Sequence, residues 1–305
     1  MSLFHRRIAI ASNKAVQYGF SKPYFRPFTT FPVSRLARNW TAYGGVVGGT
    51  ALCFGLYYNY SVSRIVQESS LEDVNPKYKK LFPEDTWQPD NTTVDPFLRR
   101  VSVDGQEFWL LGLGVRSVSF LKLQVYAVGI YVEKDDLQNL LATISSAAGA
   151  ETDLSALILD QEQGLALFSK LFDSNVRFAL RIVPVRNTDF GHLRDGFVRS
   201  VMASLRSRNM TDLDPSTGIS ELRNAMSRKL SVPKNGELML TMDKNGELYI
   251  RYHSAKANSK PEALGKVTDK TVIKALFLHY MTAPAAASES ARNSMTRNLV
   301  ELIKQ

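Results

Sequence analysis

Acidic residues are missing from the first 67 positions of this 305-residue chain; the earliest is Glu68, and eight Lys and Arg precede it. That excludes an ordinary globular surface, where both signs are interspersed. Residues 1–40 scatter Arg6, Arg7, Lys14, Lys22, Arg26, Arg35 and Arg38 among Ser, Thr, Ala and aromatic residues, the composition of a mitochondrial presequence. Charge of either sign is then absent from Thr41 to Ser63. A helix of that length, rising about 1.5 Å per residue, spans a hydrocarbon core of about 30 Å, so 41–63 reads as a transmembrane anchor. Trp40 and Tyr43 at one end and Tyr57, Tyr58 and Tyr60 at the other suit the two interfaces. Gly44, Gly45, Gly48 and Gly49 form two small-xxx-small pairs, a surface for a homodimer. Arg35 and Arg38 before the run, against Arg64 with Glu68 and Glu72 after it, orient the following domain toward the intermembrane space from the inner membrane.

Cysteine is nearly absent too. The single Cys53 rules out an intrachain disulfide and a cysteine-rich metal site. The body also lacks the excess of base that nucleic acid binding requires. Of the 38 Lys and Arg, all but eight lie after residue 67, where they nearly balance the 29 Asp and Glu, so the net +9 belongs to the N-terminus.

Four prolines, Pro76, Pro83, Pro89 and Pro96, break up residues 64–100, an acidic, Pro-rich stretch read as an extended tether along a domain edge. Residues 101–305 suffice for one domain. Glu107–Leu113, Val115–Leu121 and Gln124–Val132 alternate as three strands of an antiparallel meander. Helical spacing covers Leu137–Ile144, Gln161–Leu171 and Phe190–Arg208, with the strand Val176–Val185 between the last two. A repeat, KNGEL at 234–238 and 244–248, supplies Asn-Gly turns for hairpin strands. Leu264–Val267 adds a strand, and helices Lys270–Met281 and Ser288–Ile303 close the chain. Without a βαβ rhythm, the fold class is α+β, an antiparallel sheet covered by helices on one face.

No standard catalytic signature is present. GLGVR at 112–116 sits between strands rather than opening a helix, which excludes a dinucleotide loop, and His192, His253 and His279 lack metal-ligand spacing. Arg194, Arg199, Arg206 and Arg208 read as a solvated helix face. Arg116 stands apart, because an arginine within an apolar strand is costly to bury without a partner.

GLGVRSVSFLKLQVYAVGIYVEK at 112–134 resembles the opening hairpin of the chalcone isomerase superfamily, in which an arginine starts one strand and a Gly-x-Tyr element ends the next. RIVPVRN at 181–187 and LFLHYMTAPAAASESARNSM at 276–295 extend the resemblance over most of 105–305. With the presequence and anchor, the chain is similar to the fungal altered-inheritance-of-mitochondria branch of that superfamily. The resemblance implies an open-faced sandwich with Arg116 facing a ligand and Arg181 supplying a second cleft cation. Tyr126 stands where the plant enzymes have a threonine, Phe190 where they have the catalytic tyrosine, and His279, beside Tyr280, where they have another threonine. Loss of one donor to a developing oxyanion costs about 10²–10³ in rate, so chalcone isomerase activity is not expected. The branch implies haem, with Arg116 and Arg181 at the propionates and His279 as axial ligand, or Tyr126 or Tyr280 as oxygen ligand. The alternatives are a fatty acid with its carboxylate on Arg116, or an isomerase or lyase reaction using Arg116 with Tyr126.

Overall fold

The computed structural model describes residues 76–118, 121–148, 153–208, 214–256 and 259–305. The presequence, the uncharged run with its glycine pairs, and residues 64–75 lie outside them. Among the described residues no helix is long and apolar enough to cross a membrane.

Helix α1 (Pro76–Leu81) is followed by a two-stranded ribbon, β1 (Thr86–Trp87) with β2 (Phe97–Leu98). The strands β3 (Arg100–Val103), which was not expected, β4 (Gln106–Val118) and β5 (Leu123–Glu133) form an antiparallel meander. Helices α2 (Leu137–Ala147), α3 (Leu154–Leu159) and α4 (Gln161–Asp173) precede β6 (Phe178–Pro184). A short β7 (Thr188–Asp189) leads into α5 (Phe190–Ser207), then come α6 (Ser216–Ala225) and β8 (Ser231–Val232), which pairs with β7. The chain ends with β9 (Glu237–Met242), β10 (Leu248–His253), β11 (Glu262–Val267), α7 (Lys270–Met281) and α8 (Glu289–Lys304). Seven strands make one antiparallel sheet in the order β11-β10-β9-β6-β5-β4-β3.

Two features of the meander differ from the periodicity. Where two strands were expected around Gly114, one 13-residue strand runs through, and the hairpin turn falls after Val118, which pairs with Leu123. Gly114 does not end the strand; it gives helix α8 room, since a side chain there would collide with Ser290 and the backbone at Ala291. Gly112 does the same one pair earlier, where a Cβ would lie 2.6 Å from the Ala291 carbonyl. The serines of α8 then stitch helix to strand: Leu113 N donates to Ser294 Oγ at 3.2 Å and Val115 N to Ser290 Oγ at 2.9 Å.

Helices α3 and α6 were not anticipated. α3 is a six-residue apolar run with no readable period, and the Ser/Thr/Asn-rich α6 buries only Ile219, Leu222 and Ala225 with Gly218. Of the two Asn-Gly turns, the second is the β9–β10 hairpin, with Gly246 at φ 77°, while the first leads from β8 into β9.

All the helices contribute to a core on one face of the sheet, with Trp109, Tyr126, Val128 and Ile130 from the strands. The opposite face is not bare, as an open-faced sandwich would leave it. Val94 and Phe97 cover it, in one cluster with Val101, Val103, Leu110, Tyr131, Val183 and Met239 of the sheet. Residues 76–100 are thus folded onto the domain. Phe97 is fully buried, worth about 1.5–3 kcal/mol, and the Tyr78 hydroxyl donates to the carbonyls of Arg99 (3.1 Å) and Leu110 (2.9 Å).

Candidate functional site

The β4–β5 hairpin, the β6–α5 connection and the outer face of α5 enclose a cleft of about 530 Å³. Its polar side carries Arg116, Arg186 and Arg199, and its apolar side Val125, Leu193 and the Tyr126 ring. A register shift in β4 after Arg116 leaves that arginine directly across from Tyr126, so both project toward the helices.

Arg116 is half-buried, and among the described residues no carboxylate pairs with it. Its Nη1 donates to the Tyr126 hydroxyl and to Ser200 Oγ, each at 3.0 Å. The Tyr126 hydroxyl lies 2.5 Å from that of Tyr280 on α7. Burial opposes the guanidinium charge, but the phenol oxygens of Tyr126 and Tyr280 outweigh it, leaving the pKa above its ordinary value. Burial, with Tyr126 adding to it, holds the Tyr280 phenol far above the usual range, so it stays protonated. The arrangement is a cation fixed by hydroxyls, with no counterion among the described residues, and it can take a carboxylate or another anion.

Arg186 and Arg199 are exposed at the rim, and neither has an ion-pair partner within the described residues. His192, also lining the cleft, makes a 2.5 Å contact from Nδ1 to Asp189 Oδ2. Asp189 caps α5 by accepting from His192 N at 2.8 Å, and that bond holds its carboxyl below the ordinary range. Gly196 faces the cleft, where a Cβ would meet nothing within 4 Å.

The residues expected to surround one ligand divide into two groups. Arg116, Tyr126 and Tyr280 come together. Arg181 does not: it pairs with Gly129 across β5 on the opposite face of the sheet, donates to Glu237 Oε2 at 2.8 Å, and stacks 4.4 Å above the Phe97 ring. It lies one residue out of step with the cleft face, because neighbours Ala179 and Val183 belong to the second core. His279 is buried and does not line the cleft; burial first, then Arg116 and Arg208, pull its pKa down to about 4, leaving a neutral imidazole. Phe190 is packed edge-on against Tyr252 at 5.0 Å, away from the cleft lining.

A haem held as expected needs His279 and both arginines on one cavity. His279 and Arg181 do not reach it, and the hydroxyls of Tyr126 and Tyr280 are engaged with each other, so this residue set does not fit that group. Among the described residues no His, Cys, Asp and Glu cluster could hold a metal ion.

Of the arginines expected on the solvated helix face, Arg199 is exposed and Arg208 is not. Arg199 borders the cleft, while Arg208 is buried at the end of α5, where its Nη2 donates to the Leu278 carbonyl at 2.9 Å and to Thr282 Oγ1 at 2.7 Å. Ser200 and Arg186 were not singled out. Ser200 is one of many helix serines, and Arg186 lies in a connection with no period.

The inward arginine of the meander thus meets one strand-borne hydroxyl, Tyr126, and one helix-borne hydroxyl, Ser200. The family model described as chalcone isomerase like matches residues 106–296, and the chain belongs to that family. Its curated relatives include "Altered inheritance of mitochondria protein 18, mitochondrial" from several yeasts. The Debaryomyces hansenii protein is 34% identical over 269 residues, covering 85% of this chain and 86% of the relative. The Saccharomyces cerevisiae protein is 31% identical over 268 residues, covering 83% and 81%. Among solved structures, an Arabidopsis thaliana fatty-acid binding protein superposes with a TM-score of 0.53 at 19% identity, over 70% of this chain and all of that one.

Proposed function

We propose that the domain is a non-enzymatic binder of a long-chain carboxylate, whose head group sits on Arg116 while its chain follows Val125, Leu193 and Tyr126. The observation that carries this is Arg116 itself, half-buried with hydroxyl partners and no counterion among the described residues. A fatty-acid-binding protein of the same fold supports the ligand class. The packed Phe190, without a hydroxyl, weighs against flavanone-forming chemistry. The relatives' names and the acid-free N-terminus support a mitochondrial location, with residues 41–63 anchoring the chain in the inner membrane and the domain in the intermembrane space.

Titration of the full chain with a fluorescent fatty acid tests the reading. Arg116→Ala removes a charge-assisted hydrogen bond worth about 1.5–3 kcal/mol, a loss of roughly 10- to 150-fold in affinity. Unchanged affinity in that variant overturns it. Haemin is the competing ligand in the same assay. A Soret band lost in His279→Ala and Arg116→Ala alike would restore the haem assignment, and chalcone closure that Arg116→Ala abolishes would establish an enzyme.

A further inference from the structure

We infer that the mouth of the cleft docks on a lipid bilayer bearing anionic headgroups, with the β4–β5 hairpin inserted as its apolar tip. Among the described residues, the exposed large hydrophobic side chains are Val118, Leu121, Leu123 and Leu230. Scattered singly they would mean nothing, but three of the four gather on the hairpin and the fourth precedes a strand that borders the same cleft. Val118 and Leu123 pair across the hairpin, Leu121 sits at its turn with 64% of its surface open, and Val118 also lines the cleft. Leu230 precedes β8, which pairs with the cleft-lining Thr188 and Asp189, and its carbonyl accepts from Phe190 N at 3.3 Å.

Charge selects the occupant. Lys122 on the hairpin turn and Arg186 and Arg199 on the rim are exposed and have no ion-pair partner within the described residues. Of the nearby acids, Asp195 pairs with Arg194 and also faces Arg199, and Asp189 is held by the α5 N-terminus, so the cations remain in excess. Apolar side chains ringed by unpaired cations match the boundary between acyl chains and anionic headgroups, where each cation contributes about 1 kcal/mol. Docking in this orientation opens the cleft toward the membrane interior, the source of an apolar carboxylate. The inference goes beyond the cleft's occupant and does not depend on which ligand it holds.

The full chain is reconstituted in phosphatidylcholine–phosphatidylglycerol vesicles carrying spin-labelled acyl chains. An environment-sensitive fluorophore is attached at Leu121→Cys in a Cys53→Ser background, since Cys53 is the sole native cysteine. Ser146→Cys on α2, which follows the opposite end of β5, provides the reference site. The label at 121 is quenched strongly and that at 146 is not. Arg186→Gln and Arg199→Gln each lower the docked-to-undocked ratio by about fivefold. Leu123→Ser, read with the label at 121, undocks the hairpin while leaving fatty-acid affinity intact, which separates this result from failure of the binding reading. Equal quenching at the two sites, or quenching indifferent to phosphatidylglycerol, overturns the inference. So does a dimer that Leu121→Ser dissociates, which would make a second copy the occupant.

Discussion

The hydroxyls of Tyr126 and Tyr280 meet at 2.5 Å, joining strand β5 to helix α7 across 154 residues of sequence. Tyr280 is fully buried, and its hydroxyl is held by that contact with Arg116 beside it. Tyr126→Phe takes a partner from both Tyr280 and Arg116, costing about 1–3 kcal/mol in urea unfolding. The double variant with Tyr280→Phe is expected to cost less than the sum, with a coupling of about 0.5–3 kcal/mol. Strict additivity would show that the two hydroxyls do not interact.

Lowering the pH should expose His279. Its pKa is depressed to about 4 in the folded chain, whereas the unfolded chain takes up the proton near 6.5. The unfolded state therefore binds more protons between those values, and stability falls as pH drops through the window, by about 3 kcal/mol in all. A His279→Gln variant should lack this component, read as the difference between the two stability–pH curves from pH 7 to 4. Parallel curves would contradict the assignment.

Filling the cleft at Gly196 should separate binding from stability. Glycine within α5 costs about 0.5–1 kcal/mol relative to alanine, and a side chain here meets no neighbour. Gly196→Leu is expected to raise the unfolding midpoint while weakening fatty-acid uptake. Undiminished uptake would place the ligand elsewhere.

Arg181 and Glu237 give the reverse pattern. The pair is sealed on the far face of the sheet, and Arg181→Met alone strands a buried carboxylate at a cost of about 3–5 kcal/mol. Adding Glu237→Leu should recover most of that loss, and the stabilised double variant should bind ligand as well as the parent. Weaker ligand binding in the double variant would return Arg181 to the site.

The resemblance marked Arg116 and Tyr126 as site residues, while sequence periodicity revealed the antiparallel strands around the β4–β5 hairpin and the long helices, since these rest on local alternation. It could not assign Arg181 to a face, because fixing the pleat needs the register of β6 against β5, and the register shifts in β4 break simple counting from Arg116. Arg199 and Arg208 carry the same chemistry, but nine residues on a helix is half a turn out of phase, so their spacing already puts them on opposite sides. Which side borders the cleft and which meets α7 follows from the packing of α5 against α7.

The glycine seam between β4 and α8 has a consequence for the order in which the protein matures. Strand β4, which holds Arg116, is made early, but the surface that locks it arrives with Ala291 and Met295, and Ser288 Oγ donates to the Val115 carbonyl at 2.9 Å only once that helix exists. A chain emerging from a ribosome or an import pore in N-to-C direction would carry the arginine exposed on an unsupported glycine strand. Affinity would switch on at the last helix, so an incompletely delivered chain could neither sequester a ligand nor release one in the wrong compartment.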